Sequence, residues 1–88
     1  MKKSVQVVEV ENEGLVKLMD EVITLMCMNY FYTGKLIGVN ETCVLIQNPK
    51  IIYETGKWSD GEWADAQELP CEEFYISINS IESFGVLK

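Results

Sequence analysis

The stretch "TGKLIGVNETCVLIQNP", residues 33–49, decides the fold because it combines two glycines, a polar turn and an apolar run. Glycines within strands usually mark a bend, a bulge or a close backbone approach, so Gly34 and Gly38 predict a strand that curls sharply. Residues 40–42 are typical of a turn, and the apolar run 43–46 is typical of a buried strand. The stretch therefore predicts a bent β-hairpin.

Further strand patterns lie on both sides of this hairpin. Residues 22–28 place apolar side chains on both faces of an extended chain, and residues 73–78 alternate in hydrophobicity. A brief turn at 79–80 precedes a last apolar stretch, 81–87. Pro49 is expected to interrupt the third strand, because proline cannot donate to the ladder. These patterns predict five strands joined mostly by short connections.

A short amphipathic helix is expected before the first strand, over residues 11–22, with Asn12 as its N-cap. Its apolar positions follow the i, i+3, i+4, i+7 spacing of one helix face: Leu15, Leu18, Met19 and Val22. Residues 1–12 read as an N-terminal arm whose valines suit an extra strand, and residues 13–88 as one domain. The predicted fold is mostly β: a short N-terminal helix, then five strongly bent strands in a small, partly open barrel.

The most distinctive insertion is an acidic segment, residues 54–73, which predicts a projecting hairpin with Asp60 and Gly61 at its tip. Trp58 and Trp63 flank that tip. The two tryptophans either pack on each other across the hairpin or anchor a partner protein. The six acids of this segment beyond Glu54 would favour a basic partner: Asp60, Glu62, Asp65, Glu68, Glu72 and Glu73.

Composition argues against several classes of function. The net charge is −7, and the chain has no histidine, so polyanion binding needs a local patch of its 7 basic residues, all lysine. There is no phosphate-cradling glycine loop and no identifiable base for a cysteine, so we expect no enzyme, no cofactor and no metal site. Three cysteines without C-x-x-C spacing, and no apolar run of membrane length, favour the cytoplasm and no membrane contact.

The hairpin and its neighbours resemble the Sm-like family, which includes the Sm and LSm proteins and the bacterial Sm-type RNA chaperone. The lead-in 15–36 looks like the family's helix and first two strands, and residues 76–81 can be laid on its second motif. Asn40, Val44 and Ser77 stand where the family has Asp, Asn and Arg. The first Sm motif falls on Gly34, Leu36, Val39, Asn40, Cys43, Val44 and Leu45.

This resemblance implies an Sm-like (SH3-like) barrel that assembles into a homomeric ring, the fourth strand of one subunit meeting the fifth strand of the next. The generous apolar content, 48%, suits such burial between copies. The expected interface residues are Phe74, Tyr75, Ile76, Ile78, Phe84 and Val86.

Two functions are compatible with such a ring. The first is weak single-stranded RNA binding, or an RNA-chaperone-like role, at the inner loops of the ring. The second is an oligomeric protein-interaction scaffold without RNA binding, which recruits a basic partner through Trp58 and Trp63. The residues expected to contact RNA are Tyr30, Lys35, Asn40, Thr42, Asn79 and Ser80.

Overall fold

Six antiparallel strands form one open sheet in the computed structural model, which describes residues 14–88. The strands are β1 (Val22–Cys27), β2 (Phe31–Val39), β3 (Cys43–Glu54), β4 (Asp65–Glu68), β5 (Glu73–Ser77) and β6 (Ile81–Gly85). Their order is β4-β3-β2-β1-β6, with β5 also paired to β3. The mostly β prediction is confirmed, with six strands rather than five. The predicted arm at 1–12 lies outside the described residues.

The sixth strand arises because β3 changes partner along its length. Its first part pairs with β5, from Cys43 opposite Ser77, and its second part pairs with β4, from Lys50 opposite Glu68. The change falls at residues 48–49, where Asn48 has a left-handed φ of 53° and the buried proline has no N–H to donate. The predicted interruption at the proline is therefore a change of partner within one continuous strand.

The curl of β2 depends on its first glycine. The pairing of β2 with β3 shifts register between Thr33 and Lys35 and again between Leu36 and Gly38. A Cβ added at Gly34 would lie 3.0 Å from the Gln47 carbonyl oxygen, a tight contact that would require the neighbouring backbone to shift by a few tenths of an ångström, whereas one at Gly38 would meet ordinary contacts from 3.5 Å. The close approach therefore favours glycine at position 34 and leaves room for a side chain at position 38.

The predicted N-terminal helix is wrong over the described residues, where the chain forms a five-residue 3-10 segment, Gly14–Leu18. The backbone is left-handed at Asp20, with φ of 71°, and the Asp20 N–H donates to the Leu36 carbonyl at 2.8 Å. Leu36 in turn donates to the Glu21 carbonyl at 2.9 Å. This exchange with β2 redirects the chain into β1 at Val22, before an α-helix has room to develop.

The core lies on one face of the bent sheet. Leu25, Leu36, Val44 and Ile46 have no exposed surface, and Leu15 and Leu18 of the 3-10 segment pack against this cluster. The segment 14–18 therefore covers the core although it is not an α-helix. The remaining buried members of the cluster are Ile23, Cys27 and Ile76.

Candidate functional site

Two polar connections meet at one place, which we call the turn cluster, residues 40–43 and 78–80. The first joins β2 to β3, and the second is a 3-10 segment, Ile78–Ser80, between β5 and β6. The Ile78 N–H donates to the Thr42 carbonyl at 2.9 Å, directly beyond the Cys43–Ser77 pair of β3 and β5. Four of the six residues expected to contact RNA therefore belong to one cluster: Asn40, Thr42, Asn79 and Ser80.

The Asn40 side chain shapes the first of these turns. Its Oδ1 accepts hydrogen bonds from the Thr42 N–H at 2.8 Å, the Cys43 N–H at 2.9 Å and the Thr42 hydroxyl at 3.0 Å. Its own N–H donates to the Cys43 carbonyl at 3.0 Å. Asparagine commonly organises turns in this way. The oxygen is thus committed to the turn, and the amide nitrogen is the part of Asn40 that takes no role in it.

In the second connection, residues 78–80, one side chain takes no part in the hydrogen bonds that hold the segment together. The Ser80 hydroxyl donates to the Ser77 carbonyl at 2.8 Å, and the Ser80 carbonyl accepts from the Met28 N–H at 3.2 Å. Asn79 is exposed and takes no part in these contacts. Its amide, with two donors and one acceptor oxygen, is therefore the group of the cluster best placed to meet a ligand.

Tyr30 and Lys35 are not part of the turn cluster, although Met28, two residues before Tyr30, donates its N–H to the Ser80 carbonyl. The Tyr30 ring packs edge-on against Tyr53, with centroids 5.8 Å apart at 83°. Lys35 lies in β2 between Val22 of β1 and Gln47 of β3. The cluster itself contains no lysine, and Glu41 is its one charged residue. Any ligand bound there would meet hydrogen-bonding groups rather than a positive patch.

A buried thiol lies next to the cluster. Burial raises the pKa of Cys27, and a hydrogen bond with the Ser80 side chain lowers it by a smaller amount. Burial also raises the pKa of Tyr32, with the nearby ionisable side chains acting in the same direction. Both groups therefore stay protonated at neutral pH, and Cys27 acts as a core residue rather than as a thiolate.

The expected interface residues divide between the surface and the core. Tyr75 is 67% exposed on β5, and Phe84 and Val86 are exposed on β6 and just after it. Ile76, however, is buried in the core, and Phe74 and Ile78 are half-buried against it. In residues 14–88, β5 pairs only with β3 and β6 only with β1, so each has an unpaired edge.

The connection between β3 and β4, residues 55–64, is the Trp loop. Its two tryptophan rings meet edge to face, with centroids 6.0 Å apart at 85°. The ammonium of Lys88 lies 4.7 Å from the Trp63 centroid and 5.6 Å from that of Trp58. The same ammonium donates to three loop carbonyls, those of Thr55 at 2.7 Å, Lys57 at 2.9 Å and Glu62 at 3.0 Å. We call these three carbonyls and two rings the ammonium cage.

Sequence reasoning missed Lys88 entirely. Its partners lie 26 to 33 residues earlier in the chain, and no local spacing relates them. The structure does show the two tryptophans packed on each other, as one of the two interpretations required. Trp58 nevertheless stays 56% exposed, so the loop also presents an aromatic surface.

An open groove of about 660 Å³ borders the Trp loop. Its walls include Lys35, Lys50 and Lys88 together with Trp63, Glu62 and Asp65. Three lysines thus converge here, although Lys88 is already bound in the cage.

The described part of the chain, residues 14–88, contains no group of three or more His, Cys, Asp or Glu side chains that could hold a metal ion. No helix in that part is both long and apolar enough to cross a membrane. No protein-family model matches the chain, and no curated protein does.

Proposed function

We propose that the protein is a subunit of an Sm-like homomeric ring that binds single-stranded RNA weakly at the turn cluster. The observation that carries this proposal is the hydrogen bond from Ile78 to Thr42, which joins the two connections assigned to nucleotide contact by the resemblance. The strand order, with the last strand beside the first and the bent β2–β3 hairpin in the middle, supports it further.

Ring assembly is supported by the unpaired edges of β5 and β6. Unpaired backbone groups invite pairing with another chain, and joining β5 of one copy to β6 of the next removes both edges. Exposed Tyr75 and Phe84 lie on these two strands, so assembly would also bury apolar surface. Ile76 is already buried and would contribute only through its backbone.

RNA contact at the turn cluster would use amide groups rather than cations. The Asn79 amide and the Asn40 nitrogen can donate to base edges or sugar oxygens. Because the cluster has no lysine and the chain carries a net charge of −7, few phosphates would be neutralised. Binding should therefore be weak, with a shallow dependence on salt.

The test is a titration of labelled oligo-U and oligo-A against the purified protein at low and moderate salt. We expect measurable binding at low salt that falls about tenfold in Asn79→Ala, because one amide that meets the base is lost. Gln67→Ala, an exposed polar position on β4, is the matched control. Absence of binding by the unmodified protein at low salt would contradict the RNA part of the proposal. A stable monomer at micromolar concentration in light scattering would contradict the ring.

The second candidate is an oligomeric scaffold that recruits a basic protein and does not bind RNA. The observation that favours it is that Trp58 stays 56% exposed although the Lys88 ammonium lies near both tryptophan rings. Tryptophan is enriched among the residues that contribute most to protein–protein binding. This candidate predicts that Trp58→Ala abolishes partner binding while oligomeric state is unchanged.

A further inference from the structure

We infer that the ammonium cage is a binding site for a primary ammonium group, which Lys88 occupies here and which a lysine side chain of a basic polypeptide can enter in its place. This inference does not depend on RNA binding. It assigns to the acidic Trp loop a ligand chemistry of its own, a primary alkylammonium ion.

The cage matches a primary ammonium in number and geometry. An –NH3⁺ group has three donors, and the loop supplies three carbonyl acceptors at 2.7 to 3.0 Å. Two indole rings within 6 Å of the nitrogen add cation–π attraction. A quaternary ammonium could use the rings but has no donor for the carbonyls. The site should therefore select primary amines.

The loop has contacts of its own that do not involve Lys88. Gly56 adopts a left-handed φ of 73°, and a Cβ there would lie 3.1 Å from the Ala64 Cβ, so the two ends of the loop approach closely. The Asp60 N–H donates to the Lys57 carbonyl at 3.0 Å, which closes the tip. Together with the edge-to-face tryptophans, these contacts give the cage a shape that a different ammonium can occupy.

The Lys88 side chain can leave the ammonium cage without disturbing the sheet. The last strand ends at Gly85, and Val86 and Leu87 are 58% and 46% exposed, so displacing Lys88 breaks no strand pairing. The groove of about 660 Å³ includes Lys88 in its lining and gives an incoming side chain a path to the cage. Glu62 and Asp65 of the groove balance the charges of Lys35 and Lys50, so the path has no excess of positive charge once Lys88 withdraws.

The first experiment empties the cage and refills it. Lys88→Ala should bind n-butylammonium with a millimolar Kd, at least about tenfold tighter than the unmodified protein, in which Lys88 competes within the same chain. Binding should restore the near-ultraviolet circular dichroism of the tryptophan pair. Tetramethylammonium should bind at least about tenfold more weakly than n-butylammonium, because it cannot donate to the carbonyls. The control is the double variant Lys88→Ala with Trp63→Ala, which should bind neither amine.

The second experiment uses the unmodified protein, so it does not depend on how Lys88→Ala folds. In protein labelled with ¹³C-lysine, the Cε protons of Lys88 should be shifted upfield by the two rings. An acetyl-Gly-Lys-Gly-amide peptide at high millimolar concentration should move that signal to the position of the exposed lysines. The same peptide with acetylated lysine should not, because acetylation removes the charge.

These outcomes decide the inference. Equal affinity of Lys88→Ala and the unmodified protein for n-butylammonium, or equal affinity for tetramethylammonium, would overturn it. A Lys88 signal that the lysine peptide does not move would show that Lys88 stays bound in the cage, and would overturn its replacement by a lysine of a partner. RNA binding by Lys88→Ala should equal that of the unmodified protein, so a failure here is distinguishable from a failure of the proposed function.

Discussion

The turn cluster and the Trp loop are both connections beside β3, but they are held together by different means. In the turn cluster the uncharged Asn40 oxygen accepts from groups two and three residues away. In the Trp loop one ammonium satisfies three carbonyls that lie 26 to 33 residues earlier in the chain. The Asn40 hydrogen bonds are local and form with the β2–β3 hairpin, whereas the Lys88 hydrogen bonds require the completed sheet. Substitutions should therefore disturb the two regions independently.

The largest effect is expected at the hairpin that carries the turn cluster. Gly34→Ala should lower the free energy of unfolding by up to about 3 kcal/mol, because its Cβ would press on the Gln47 carbonyl at 3.0 Å and on Ile46. Urea unfolding followed by far-ultraviolet circular dichroism measures the change. Gly38→Ala is the matched control and should stay within about 1 kcal/mol, since its Cβ meets ordinary contacts. Similar losses in both variants would contradict the role given to the close approach.

The next largest effect is expected in the Trp loop. Lys88→Ala removes three charge-assisted hydrogen bonds and two cation–π contacts, so we expect a loss of about 2 kcal/mol in the free energy of unfolding. Both tryptophans of the chain lie in this loop, so their near-ultraviolet signal should weaken while the sheet signal persists. Lys57→Ala is the control, because that residue offers only its carbonyl to the cage. Loss of the sheet signal together with the tryptophan signal would argue against two independent regions.

These two regions also show how far the sequence alone predicts the molecule. The hairpin and its turn at 40–42 could be predicted, because both depend on neighbouring residues. The different roles of the two glycines could not, since the close approach at Gly34 is to the Gln47 carbonyl of the next strand. The 3-10 segment at 14–18 could not, since the exchange of hydrogen bonds with Leu36 exists only in the folded sheet. Nor could the division of the fourth strand into β4 and β5, which depends on the left-handed backbone at Asn48.

The candidate site residues also differ in whether a pattern in the sequence could identify them. Asn40, Thr42, Asn79 and Ser80 were grouped because the resemblance assigns both of their turns to nucleotide contact, since the strand pattern alone does not bring two separate turns together. Lys35 was expected to contact RNA only because it is a lysine. It lies in β2 between β1 and β3 and lines the groove beside the Trp loop. Lys88 carries no local signal, because a cation that meets two distant tryptophans belongs to no motif.

A smaller effect is expected within the turn cluster itself. Asn40→Ala removes the acceptor of two backbone N–H groups, which should cost about 1 kcal/mol because both donors can turn to water. Asn40→Asp keeps an acceptor oxygen and should recover most of that loss. Urea midpoints of the two variants provide the measurement. If Lys88→Ala changed the effect of Asn40→Ala by more than about 0.5 kcal/mol in the double variant, the two regions would be coupled.

The smallest effect is a pH dependence of the free energy of unfolding, which arises in the core rather than in the turn cluster or the Trp loop. Burial raises the pKa of Cys27 and of Tyr32 above their ordinary values of 9.0 and 10.0. In alkali the unfolded chain loses these protons first, so the folded state binds more protons and its stability falls as pH rises. The stabilisation is complete below about pH 9 and is lost as pH rises through the folded pKa values. Urea unfolding between about pH 8 and pH 11 measures this decline.

Tyr32→Phe is the variant that isolates this contribution, because it keeps a ring against Phe74, whose centroid is 5.6 Å away, and removes the phenol. Its alkaline decline in stability should be shallower than that of the unmodified protein. Tyr75→Phe, at an exposed position on β5, serves as the control. The near-ultraviolet signal of the tryptophans, followed at pH values where the far-ultraviolet signal shows that the sheet is still folded, reports on the Trp loop separately from the core. An early loss of that signal would place the alkaline effect in the Trp loop, whereas simultaneous loss of both signals would place it in the core.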